Sequence, residues 1–149
     1  MVSIDLIKQL REETGISIAE CKKALEEAKG DMAKAKNLLR AWGKEVAERK
    51  HSREVKEGMV HAYVHATGKV GAMVALRCET DFVSRSDDFR TLCHELALQV
   101  VSMDAADVAA LLKQLYVRDA SKTIQNLIEE TIAKLGENIV VERLIRFEL

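Results

Sequence analysis

Three cysteines and four histidines are the side chains through which this 149-residue sequence could do bond-making chemistry. Their spacing argues against it. His61 and His65 fall on one face of what reads as a strand. That spacing sets them about 13 Å apart, too far to share one zinc ion at ~2 Å bonds. Adding Cys78 or the Cys93-His94 pair would need a fold-back that the pattern does not predict. Cys21 and Cys93 fall on apolar helix stripes and Cys78 on an apolar strand face, without the base and electropositive setting that make a nucleophile. An odd number of cysteines with no CxxC pair points to reduced thiols in a reducing, cytoplasmic setting. Gly68-Lys69 would close a phosphate-binding loop only with Ser or Thr next and a glycine at the loop's start, where Val70 and Tyr63 stand. Phe82 is a different kind of candidate. With one Trp, two Tyr and three Phe in the chain, this ring sits beside Asp81 in the break between a strand and a helix. It either folds back into its own core or stands out as a rigid anchor for a partner's pocket, and periodicity does not choose.

The elements that must carry these residues change type along the chain. Ser3 caps a predicted helix with Ile4, Ile7 and Leu10 inward and Gly15 beyond its end. Ser17 and Glu20 have capping-box spacing ahead of Ile18, Cys21, Leu25 and Ala28, with Gly30 as terminator. Asp31 caps a third helix carrying Met32, Ala35, Leu38, Leu39 and Trp42, stopped at Gly43. Together they predict a helical module over 1–43, too small to bury much surface alone. Residues 44–57 mix Lys, Arg and Glu with little to bury, which predicts a solvated helical linker. From Gly58 the apolar period changes from helical to alternating, and strands over 59–65 and 70–78 turn at Thr67-Gly68. Ser86, Asp87 and Asp88 open a helix whose core stripe is Phe89, Leu92, Cys93, Leu96, Val100 and Val101. Asp104 is expected to begin a short helix with Val108, Leu111, Leu112 and Leu115. A last helix on Ile124, Leu127, Ile128, Ile132 and Leu135 ends at Gly136 before a strand over 139–147. The expected class is α+β: the helical module, the linker, and a core over 58–149 with a small, mainly antiparallel three-stranded sheet.

Charge and hydropathy remove whole classes of partner. The chain balances 23 basic against 24 acidic side chains, so nothing in bulk draws it to nucleic acid or anionic lipid. No apolar run approaches the ~20 residues that span a bilayer, and the N-terminal residues are too interrupted by charge to read as a signal peptide. The expectation is a protein with no metal, cofactor, direct nucleic-acid contact or membrane contact, acting by binding another protein.

Motifs along the chain narrow this further. Cys78-Glu79-Thr80-Asp81-Phe82-Val83 resembles the signature of the elongation factor Ts family, the guanine-nucleotide exchange factors of elongation factor Tu. Leu10-Arg11-Glu12-Glu13-Thr14-Gly15 with Cys21-Lys22-Lys23-Ala24-Leu25 resembles its N-terminal signature, and Gly30-Asp31 through Leu38-Leu39-Arg40 completes a ubiquitin-associated-like module. Ile132-Ala133-Lys134-Leu135-Gly136-Glu137-Asn138-Ile139 and Arg146-Phe147-Glu148-Leu149 match as well, in the same order. The resemblance implies that Thr80, Asp81, Phe82 and Val83 disturb the Mg²⁺ site of elongation factor Tu, and that Arg11, Ile18 and Ala19 make a second contact. Ala19 is smaller than the family's usual apolar residue there; the resemblance also implies a core contact at Gln99, which stands where histidine is usual and can still donate and accept. A helical arm usual in the family is missing between about Ala105 and Tyr116, and only one core copy is present. The competing reading is an adaptor whose helical module binds a protein without driving exchange.

The last strand carries an expectation about assembly. Strict alternation puts Ile139, Val141, Ile145 and Phe147 on one face and Val140 and Leu144 on the other. Apolar residues on both faces exceed what one packed side needs, and the resemblance implies that short members pair their single cores. A homodimer on this sheet is expected, against a monomer whose own helices cover both faces.

Overall fold

The computed structural model describes residues 1–149. Its first three helices are α1 (Ile4–Thr14), α2 (Ile18–Glu27) and α3 (Met32–Lys50). Each starts where a side chain satisfies a free backbone N–H: Ser3 accepts from Leu6, Ser17 from Glu20 and Asp31 from Lys34. The Glu20 carboxylate accepts from the Ser17 hydroxyl at 2.7 Å rather than reaching the backbone. Leu10, Cys21, Ala24, Leu25 and Ala35 are fully buried and form a small core of their own with Ile7, Ala28 and Leu39.

The third helix does not stop at Gly43, and the expected linker over 44–57 is helical only to Lys50. Gly43 is buried inside the helix because a neighbour comes close: a Cβ there would meet Ala133 Cβ at 3.5 Å and the Glu129 carbonyl at 3.9 Å. A glycine that looked like punctuation is a place where two helices touch. Ala47, one turn on, is buried in the larger core, so α3 joins both.

That larger core is built by β1 (Glu57–Val64), β2 (Val70–Cys78), α4 (Asp81–Ser84), α5 (Asp87–Ser102), α6 (Val108–Lys113), β3 (Leu115–Tyr116), β4 (Asp119–Thr123), α7 (Ile124–Leu135) and β5 (Val140–Glu148). The main sheet has the order β1-β2-β5, antiparallel throughout, so the class is α+β as the patterns predict. Helix α5 covers its inner face, with Phe89, Cys93, Leu96 and Val100 fully buried against Val74, Leu76 and Cys78. Arg146 reaches from β5 to the Val100 and Val101 carbonyls at 3.0 and 3.2 Å and so satisfies the C-terminal end of α5.

Three details depart from the sequence reading. The short helix is capped by Asp107, not Asp104, and Leu115 has left it for β3. The β3–β4 hairpin was not anticipated, because a two-residue strand carries no period. In β5, Ala75 pairs with Arg143 while Leu76 pairs with Val141, leaving Glu142 as an extra residue. This bulge reverses the alternation. Val141 points into the core before it and Leu144 after it, while Ile145 and Phe147 face outward, 50% and 74% exposed. The outer face of the sheet therefore presents Val60, Val64, Met73, Val140, Ile145 and Phe147 to solvent.

Candidate functional site

The strand β2 delivers the chain to a turn at Glu79-Thr80, and α4 starts on the next residue. Thr80 caps that single helical turn, its Oγ1 accepting from the Val83 N–H at 3.4 Å. The helical direction then separates the next side chains. Val83 is half-buried and packs on the main core, whereas Phe82 is 84% exposed. The ring is therefore not part of its own core. Asp81 is partly exposed beside it, with Oδ2 at 3.4 Å from Arg85 Nη2.

The turn is held from the far end of the chain. Glu137 Oε1 accepts from the backbone N–H groups of Glu79 and Thr80 at 3.0 and 2.9 Å, and Oε2 accepts from the Thr80 hydroxyl at 2.6 Å. In return Glu79 Oε1 accepts from the Asn138 N–H at 2.8 Å. The buried Asn138 amide donates to the carbonyls of His51 and Arg53, just past the end of α3. In the sequence, Gly136 reads as the end of a helix, while Glu137 and Asn138 appear only within a matching motif and carry no role of their own. Their signal was two polar residues straight after a helix-ending glycine.

Cysteine chemistry finds no support here. Burial, followed by the Glu137 charge, pushes the Cys78 thiol up to about 11, and burial with Cys78 alongside pushes Cys93 up to about 12. Burial also raises Cys21. Thiols shifted that way stay protonated at neutral pH. His61 and His65 part company: His61 Nε2 lies 3.1 Å from His94 Nδ1, while His65 Nδ1 lies 3.4 Å from the Tyr63 hydroxyl. Burial and His94 lower the His61 pKa. No three His, Cys, Asp or Glu side chains converge as metal ligands, and no helix is long and apolar enough to cross a membrane.

The second set of predicted contact residues lies on the helical module. Arg11 in the last turn of α1 and Ala19 in the first turn of α2 are exposed, and Ile18 is 55% exposed at the start of α2. Gln99 is fully buried. Its Nε2 donates to Gln114 Oε1 and the Leu115 carbonyl, and its Oε1 accepts from the Val117 N–H at 3.0 Å. The amide is spent on holding the β3–β4 hairpin and leaves no face for a partner.

Comparison with known proteins agrees with this picture. A family described as Elongation factor TS matches residues 79–149. Elongation factor Ts of Coprothermobacter proteolyticus is 42% identical over 193 positions, covering 99% of this chain and 98% of that protein. The Thermotoga maritima and Moorella thermoacetica proteins of the same name are 40% and 36% identical, covering 99% and 100% of this chain and 96% of each relative. Each of these aligned spans exceeds the 149 residues here, so the relatives carry residues that this chain lacks. Matches of this extent define the class as a translation elongation factor. The chain belongs to the elongation factor Ts family.

Proposed function

We propose that this chain is a guanine-nucleotide exchange factor that binds elongation factor Tu·GDP in the cytoplasm and speeds release of GDP. The observation that carries the reading is Phe82, a large apolar ring standing in solvent on a turn fixed by five inter-segment hydrogen bonds or caps around Thr80 and Glu79. The ring enters the GTPase domain beside the nucleotide, with Asp81 as its polar neighbour and Thr80 and Val83 as its mount. Mg²⁺ demands near-ideal octahedral geometry, so a small displacement of the groups around it weakens the ion that bridges protein and phosphate. Arg11, Ile18 and Ala19 make a second contact on the same domain. A continuous α3 between the two contacts supports simultaneous engagement, which raises the effective concentration of the second. No covalent step is required of the factor. It lowers GDP affinity, and by linkage GDP lowers the factor's affinity equally.

The test is the release of labelled GDP from elongation factor Tu with and without this chain. Faster release at substoichiometric factor is expected. Binding without acceleration would make the protein an adaptor instead.

The outer sheet face supports pairing of two copies. Its six exposed large apolar residues form one side of a three-stranded sheet, and two of its charges, Arg77 and Glu142, already pair with each other at 3.0 Å. Light scattering should give twice 16.7 kDa; the single mass at micromolar concentration would overturn the dimer.

A further inference from the structure

We infer that Glu137 is a positioning residue for exchange, setting the direction in which Phe82 leaves the surface. The inference rests on the exchange-factor reading above and adds a residue to it. One carboxylate does two things to the turn. Oε1 receives two consecutive N–H groups, from Glu79 and Thr80, which fixes the backbone plane entering α4. Oε2 receives the Thr80 hydroxyl proton at 2.6 Å. That orients the rotor so that the Thr80 Oγ1 lone pairs face the Val83 N–H, which it caps. Phe82 lies between the residue so clamped and the residue so capped. Hydrogen bonds to an ionised acceptor are shorter and stronger than neutral ones, so Glu137 is a stiff support for a ring that has no packing of its own.

The support is itself anchored. Glu137 follows Gly136, whose φ of +76° reverses the chain at the end of α7. Asn138 returns a hydrogen bond to Glu79 and ties the segment to the carbonyls of His51 and Arg53 beyond α3. The bracket therefore stands where the turn, the end of α7 and the end of α3 meet. The helix that joins the helical module to the larger core and the turn carrying Phe82 share one anchor.

The experiment measures GDP release from elongation factor Tu as a function of factor concentration, for the full chain and its Glu137 variants. Glu137→Ala should lower the maximal stimulated rate by about tenfold or more, as misplacement of a reacting group does, with the half-saturating concentration nearly unchanged. Glu137→Gln should recover most of that rate, because its carbonyl still accepts both N–H groups and its NH₂ donates to a Thr80 hydroxyl that still caps Val83. Combining Glu137→Ala with Phe82→Ala should cost no more than Phe82→Ala alone, since an absent ring has no direction to lose. A fold-maintaining role predicts the opposite pattern: losses that multiply, or that track the fraction folded. Either that pattern, or a folded Glu137→Ala protein with the parent rate, overturns the inference. If Glu137→Ala does not fold, Glu137→Asp, which withdraws the carboxylate by one methylene, should show an intermediate loss, and the parent rate there overturns it too. If the parent chain itself fails to release GDP, the exchange reading falls. The bracket is then read by amide hydrogen exchange in the free chain, where unchanged protection at Thr80 and Val83 in Glu137→Ala sinks it.

Discussion

Phe82 and Ile18 are both apolar side chains left in solvent, yet the molecule mounts them differently. Ile18 opens α2 on local support alone, with the Ser17 cap beneath it and a small core of short helices behind it. Phe82 opens outward from a turn whose supports come from Glu137 and Asn138, far along the chain, with Val83 rooted in the larger core. A surface that only has to be found can tolerate a soft mount. A ring that must displace another protein's side chains has to transmit force, and a frayed turn would yield first. The difference in support matches the difference in work proposed for the two surfaces.

That contrast breaks most visibly at the two phenylalanines of the core domain nearest each other in sequence. Phe82→Ala should reduce maximal stimulated GDP release by about thirtyfold or more, the scale of an interface hot spot, while the unfolding midpoint stays put. Phe89→Ala empties a fully buried site and should cost about 3–5 kcal/mol of stability. If Phe82→Ala lowers the denaturation midpoint as Phe89→Ala does, the ring is not free and the comparison collapses. Ile18→Ala should have a smaller effect of another kind. It should raise the half-saturating factor concentration roughly fivefold, about 1 kcal/mol, and leave the maximal rate alone. A fall in maximal rate would mean that the helical module shares in the displacement.

How much of this was legible in the sequence depends on the range of the interaction involved. Caps at Ser3, Ser17, Asp31 and Ser86 and the stop at Gly136 are local events with local signatures, and they fall where the spacing puts them. The β1–β2 hairpin follows from alternation and Thr67-Gly68. The failures share a cause. Gly43 looks like a stop because the reason for its missing side chain, Ala133 of α7, is distant in sequence. The extra Glu142 in β5 is defined only against its partner strand, so alternation assigned Ile145 and Phe147 to the wrong side. The burial of Gln99 follows from a hairpin too short to predict. At the candidate site, residue types and the family resemblance point to Thr80-Asp81-Phe82-Val83. The bracket behind them consists of long-range hydrogen bonds to backbone, which no spacing rule encodes.

The smallest expected effect tests the strut between the two surfaces. Gly43 sits inside α3, where glycine is about 1 kcal/mol less favourable than alanine. An added Cβ would meet Ala133 Cβ and the Glu129 carbonyl at ordinary van der Waals distances, so α7 need not move. Gly43→Ala should therefore stabilise the protein by up to about 1 kcal/mol, partly by restricting the unfolded chain. In a protein of this size that raises the melting temperature by roughly 2–4 °C, with exchange unchanged. Gly43→Leu should do the reverse, because a larger side chain has no room between α3 and α7 and overpacking costs about 1–3 kcal/mol. It should also raise the half-saturating concentration, since a displaced α3 no longer holds Ile18 and Phe82 at one fixed separation. Should alanine destabilise instead, α3 and α7 pack too closely at Gly43 to admit even a methyl group, and the glycine is required by the contact.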